Sequence, residues 1–84
     1  MKLVFADGAW QDYLYWQKQD RRMVERINPL IRETQREPFA GIGKPEPLKH
    51  ALAGYWSRRI TDEHRMVYRM EGDALMIAQL PYHY

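Results

Sequence analysis

No cysteine occurs anywhere in the 84 residues, which excludes a disulfide framework, a thiolate nucleophile and thiolate ligation of a metal. No apolar run approaches the ~18 residues of a membrane span. Without cysteine the fold does not depend on an oxidising compartment, so a cytoplasmic setting is permitted, and the stretch Met1–Ala6, too short for a signal peptide, reads as a strand. Histidine is scarce: the three present, with no His-x-x-x-His pair, offer no zinc spacing, and neither a metal nor a cofactor is expected. There is no internal repeat, no low-complexity tract and no long linker, so residues 1–84 are expected to form a single domain. What remains is 45% hydrophobic and 29% charged, the composition of a soluble globular chain with one core. A chain this short leaves apolar surface exposed, which makes a homodimer a reasonable expectation.

The net charge of +2 conceals an asymmetry. Between Asp7 and Glu37 six basic residues balance six acidic ones, whereas between Gly41 and Arg69 six basic residues face only Glu46, Asp62 and Glu63. The second half is therefore where a polyanion would dock, unless its cations simply solvate a strand face.

The elements follow from periodicity. Lys2 to Ala6 reads as a first strand, and Asp7 as the N-cap of a helix. Trp10, Tyr13, Leu14 and Gln17, with Trp16 close by, place an aromatic stripe at helical spacing, expected to be core. Asp20 repeats the capping logic, and Met23, Val24, Ile27, Leu30, Ile31 and Thr34 carry a second helix in which Pro29 should cause a kink or local break. Pro38 to Pro47 holds three prolines and two glycines and reads as a stiff exposed loop, with Glu46 clamped between Pro45 and Pro47. Then come three strands, about Tyr55–Thr61, His64–Met70 and Ala74–Leu80, joined by turns at Asp62-Glu63 and Glu71-Gly72-Asp73. The expected fold is α+β: two N-terminal helices packed on one face of a mostly antiparallel four-stranded sheet.

RNA cleavage without a metal needs a base for the 2′-hydroxyl proton, cations for the phosphorane and an acid for the departing 5′-oxygen. Glu46 is a plausible base, Arg59, Arg65 and Lys49 plausible charge stabilisers, and His83 the natural acid because imidazole titrates near neutrality. Tyr82 and Tyr84 could stack on or position a base. Arg59 and Arg65 share a sheet face only if the turn between them is odd or bulged, since side chains alternate with period two, and such a turn is expected. A non-catalytic RNA- or ribosome-binding module and a protein-interaction domain are the other classes open on this reading.

Several longer motifs occur in one order: Asp12-Tyr13-Leu14-Tyr15-Trp16, Gly43-Lys44-Pro45-Glu46-Pro47-Leu48-Lys49-His50, Trp56-Ser57-Arg58-Arg59-Ile60, His64-Arg65-Met66-Val67-Tyr68 and Tyr82-His83-Tyr84. In these the chain resembles, over essentially its whole length, the YoeB toxins of the RelE superfamily. These are bacterial endoribonucleases of toxin-antitoxin systems that cleave mRNA in the ribosomal A site. The resemblance implies Glu46 as general base, His83 as general acid and Arg65 as main transition-state stabiliser, with Lys49 and Arg59 on phosphate and Tyr84 positioning the nucleotide. It also implies a YefM-like antitoxin that covers the active site, a 70S ribosome with mRNA and 16S rRNA contacts, and homodimers.

Overall fold

A computed structural model describes residues 1–82. The chain runs β1 (Lys2–Phe5), α1 (Asp7–Gln19), α2 (Arg21–Arg36), β2 (Glu46–Pro47), a short 3-10 turn (His50–Leu52), β3 (Trp56–Arg59), β4 (Arg65–Glu71) and β5 (Ala74–Gln79). One mixed sheet has the order β1-β5-β4-β3-β2, with β1 parallel to β5 and every other pair antiparallel. Five strands therefore replace the four expected, because Glu46–Pro47 leaves the proline loop to pair with Trp56 and Ser57. A proline-flanked pair is tolerated there since it lies at the sheet edge, where a missing N–H costs nothing.

The two helices cover one face. Trp16, Met23, Ile27, Leu30 and Ile31 pack against Met66, Tyr68, Leu75, Ile77 and Leu80 in one buried cluster. Three expectations about the helices change. Asp7 is not a cap: Ala6 takes that position, its N–H still bound to the Ile77 carbonyl at 2.9 Å, so the chain leaves the sheet and starts α1 one residue earlier. Asp7 sits in the first turn, where a negative charge still suits the helix dipole. The buried seam of α1 is Ala9 and Trp16 rather than the Trp10/Leu14 stripe. Trp10, 44% exposed, instead lies edge-on to Phe5 and stacked on Tyr13. Finally, of the kink or local break expected at Pro29, the break does not occur: α2 continues through it as one helix, anchored on both sides by buried Ile27, Leu30 and Ile31, while Asn28 accepts a hydrogen bond from the Tyr13 hydroxyl at 2.8 Å. Asp20 caps α2 as expected, accepting from the Arg22 N–H at 3.1 Å.

The proline loop is fastened from beneath. Arg58 is fully buried, and its guanidinium donates to the carbonyls of Glu37, Ala40 (2.8 Å) and Ile42 (3.1 Å) and to the Tyr68 hydroxyl (3.2 Å). Tyr68 in turn donates to the Pro38 carbonyl at 2.6 Å. Gly43 closes the loop with φ +81°, and a Cβ there would press to 3.0 Å on the Arg59 carbonyl and the Leu30 side chain. The charge excess read from the sequence must therefore be trimmed: Arg58 is a buried fastener, and Arg69 is paired with Glu71 at 2.5 Å.

Burial raises the Tyr68 phenol above its ordinary pKa, with the Arg58 contact pulling in the opposite direction. An unfolded phenol ionises near pH 10, the folded one later, so the folded state holds the extra proton in that window and stability falls as pH rises through it. Chemical denaturation between about pH 8 and about pH 11 should show the stability gap between wild type and Tyr68→Phe narrowing on the alkaline side. A constant gap would mean that Tyr68 ionises alike in both states.

Candidate functional site

The side of the sheet opposite the helices is where Glu46 and two of the expected cations, Arg59 and Arg65, meet. Strand alternation sends Arg58, Met66 and Tyr68 toward the helices and Ser57, Arg59, Arg65 and Val67 the other way. Arg59 and Arg65 are direct cross-strand partners, so they project from the same face. The connection between them is Ile60–His64, an odd loop closed by the Ile60 and Thr61 amides on the His64 carbonyl. The Thr61 Oγ accepts from the Glu63 and His64 amides at 3.2 and 3.1 Å, which sets the turn. Parity thus falls as the sequence reading required.

Glu46 pairs with Ser57, and Ser57 with Val67, so these three form one row across β2, β3 and β4, with the Arg59/Arg65 row beside it. Arg65 reaches diagonally over β3: its Nη1 donates to the Glu46 carboxylate at 2.5 Å and lies 3.4 Å from the Ser57 Oγ. Both ends of that ion pair meet solvent, Arg65 41% and Glu46 54% exposed. An exposed pair of this kind contributes only ~0.2–1 kcal/mol to stability, so it can be opened cheaply by a competing anion. The backbone holds Glu46 more firmly than its side chain does, through the β2–β3 pairing and the Arg59 amide bound to the Gly43 carbonyl at 2.7 Å.

Of the expected site residues, the structure thus brings together Glu46, Arg65 and Arg59. Lys49 is exposed just beyond β2, before the 3-10 turn, and no ion pair among the described residues includes it. His83 and Tyr84 lie outside the described residues. Tyr82 is placed, and its ring stacks on Tyr15 with centroids 3.7 Å apart and planes 11° apart. Ser57 was missed by the sequence reading, although counting two back from Arg59 would have placed it on the same face. Among the described residues no group of three or more His, Cys, Asp or Glu side chains is arranged to hold a metal.

Comparisons with known proteins bear on the family and the fold. Residues 5–84 match the family described as the YoeB-like toxin of bacterial type II toxin-antitoxin systems. Toxin YoeB of Escherichia coli strain K12 is 60% identical over 84 residues, covering 100% of both chains. Among solved structures, a YoeB/ParE toxin from Agrobacterium tumefaciens superposes with a TM-score of 0.92 at 59% identity, covering 100% of both chains. YoeB of Staphylococcus aureus has been solved both in a heterotetrameric complex with YefM (TM-score 0.91) and as a dimer (TM-score 0.89). In both, identity is 45%, over 100% of this chain and 98% of the other.

Proposed function

The chain belongs to the YoeB-like toxins of bacterial type II toxin-antitoxin systems, and from that premise we propose that it is an endoribonuclease cleaving mRNA in the ribosomal A site. The observation that carries this reading is the 2.5 Å contact between Glu46 and Arg65 on the solvent-facing side of the sheet, with Arg59 beside it. A carboxylate and a guanidinium so placed can divide the work of 2′-hydroxyl attack. When the scissile phosphate arrives, it competes for Arg65 as a two-pronged anion partner, and Glu46 is released to accept the 2′-hydroxyl proton. The freed oxygen attacks the adjacent phosphorus, Arg65 stabilises the charge of the phosphorane, and His83 protonates the departing 5′-oxygen. Lys49 and Arg59 hold the flanking phosphates, Tyr84 positions the nucleotide, and no metal takes part.

The whole of residues 1–84 acts as one domain in this scheme, in the cytoplasm, where ribosomes present the message. The face is small and its cations few, so the ribosome, through contacts that include 16S rRNA, supplies the alignment the protein cannot impose alone. The toxin works as a homodimer and is neutralised by a YefM-like antitoxin laid over the exposed Glu46–Arg65 face; the YoeB–YefM complex and the YoeB dimer of Staphylococcus aureus support the choice of the two partners.

Primer-extension mapping of a defined mRNA, with and without programmed ribosomes, tests the proposal. Cuts should appear with ribosomes and be much weaker without them, leaving a 5′-hydroxyl on one side and a 2′,3′-cyclic or 3′-phosphate on the other. A 5′-phosphate product would sink the 2′-hydroxyl mechanism. Ribosome binding with no cutting would leave a non-catalytic module instead.

A further inference from the structure

Beyond the site itself, the structure ties the end of the described chain to one face of α1. Leu80, the first residue past β5, has both backbone groups taken by side chains of that helix. Its N–H donates to the Asp12 carboxylate and its carbonyl accepts from the Trp16 indole, each at 2.9 Å. Asp12 and Trp16 are four apart and so lie on the same face of the helix. The Leu80 side chain is fully buried in the same core cluster as Trp16. Pro81 follows, with a fixed φ and no N–H of its own. Tyr82 then stacks on Tyr15 and presents to the edge of Trp16, 6.3 Å away at 90°. Trp16 also meets His64 edge-on at 5.1 Å, which links this mooring to the loop that leads into Arg65.

Two of these contacts differ in kind. The Trp16 bond is buried and the Asp12 bond partly so, and both serve backbone groups of the fold. The Tyr15–Tyr82 stack is at the surface, the two residues 37% and 38% exposed, although Tyr15 also meets the edge of Trp16. What the stack does set is the position of Tyr82, the residue before His83 in the sequence. We propose that Tyr15 is a positioning residue for the reaction, acting through Tyr82 to aim the end of the chain. The inference rests on the proposed role of His83 as general acid. A misplacement of about 1 Å in a catalytic group can cost a factor on the order of 10² in rate, so a surface stack can matter greatly to turnover while mattering little to stability.

The test compares wild type, Tyr15→Ala and Tyr15→Phe. Backbone ¹⁵N relaxation of Leu80 and Tyr82 is read alongside the single-turnover cleavage rate at saturating and half-saturating ribosomes. Tyr15→Ala should lower the Tm by only a few degrees, the scale of losing one aromatic stack, and leave the Leu80 amide unchanged, but lower the heteronuclear NOE of Tyr82. Its rate at saturation should fall by about 10- to 100-fold with the half-saturation concentration unmoved, and the alkaline limb of its pH–rate profile should flatten. Tyr15→Phe keeps a ring to stack on and should restore both readouts. An unchanged Tyr82 NOE in Tyr15→Ala, or a lowered NOE with an unchanged rate, overturns the proposal. If wild type itself does not cleave, the proposed reaction fails, and the mooring stands or falls on the NOE alone.

Discussion

Glu46→Gln should slow single-turnover cleavage of ribosome-held mRNA by about 10²- to 10⁴-fold, the range that a general base contributes. Glutamine keeps the size of the side chain and an oxygen that can still accept from Arg65, so it removes proton acceptance and little else. Ribosome affinity should be retained and the Tm should barely move, because the Glu46–Arg65 pair is exposed at both ends. Arg65→Ala should cost about 10²- to 10³-fold, the scale for deleting a donor to a charge that develops in the transition state. Arg65→Lys should recover only part of that, since an ammonium cannot offer the planar fork of the guanidinium. The double variant Glu46→Gln/Arg65→Ala should be slowed by less than the product of the single effects, because residues that act as a unit are not additive. Glu46→Gln cutting at the wild-type rate would remove Glu46 as the base, whatever the geometry.

How much of this was legible beforehand differs residue by residue. The Arg59/Arg65 face could be argued from parity alone, because alternation is a rigid constraint and only the loop length was open; the five residues Ile60–His64 settled it. The identity of Arg58 as a fastener could not be read. A basic residue beside another basic residue on a strand looks like more of the same charge, and only the path of residues 37–42 over the sheet supplies the carbonyls that solvate it. The α1 stripe failed for a related reason. Helical spacing says which residues share a face, but the neighbouring elements decide which face is covered, and edge strand β1 leaves Trp10 and Leu14 at the surface. The two-residue β2 lay below the length at which alternation carries any signal. The cap at Asp7 was displaced by one position because a sheet hydrogen bond at Ala6 fixed where the chain turned.

Arg58→Met should be among the most destabilising single changes in this chain. Among the described residues the buried guanidinium has four oxygen partners and no carboxylate within ion-pair distance; three of those oxygens are the carbonyls of Glu37, Ala40 and Ile42. Glu33 feels its charge at longer range: the Arg36 hydrogen bond lowers the Glu33 pKa most, with Arg58 adding to the same direction. Methionine fills much of the volume but donates nothing, and a buried acceptor stripped of its donor costs ~1–3 kcal/mol. Water will reach some of these carbonyls as the loop lifts, so a total of about 3 kcal/mol is reasonable, a fall of roughly 12–24 °C in Tm for a chain of this size. Against a total stability of about 5–15 kcal/mol that is a large share. Arg58→Lys should fall between, because one ammonium can reach some of the carbonyls but cannot span the set. The damage should not stop at stability. The loop that Arg58 holds runs directly into Gly43 and then β2, so the folded fraction of Arg58→Lys should cleave more slowly even below its Tm, through loss of the backbone that fixes Glu46. Thermal unfolding by circular dichroism, paired with cleavage at a temperature where each variant is folded, separates the two effects. An Arg58→Met protein that melts within about 2 °C of wild type would mean the loop is held by its prolines and Gly43 without the buried cation.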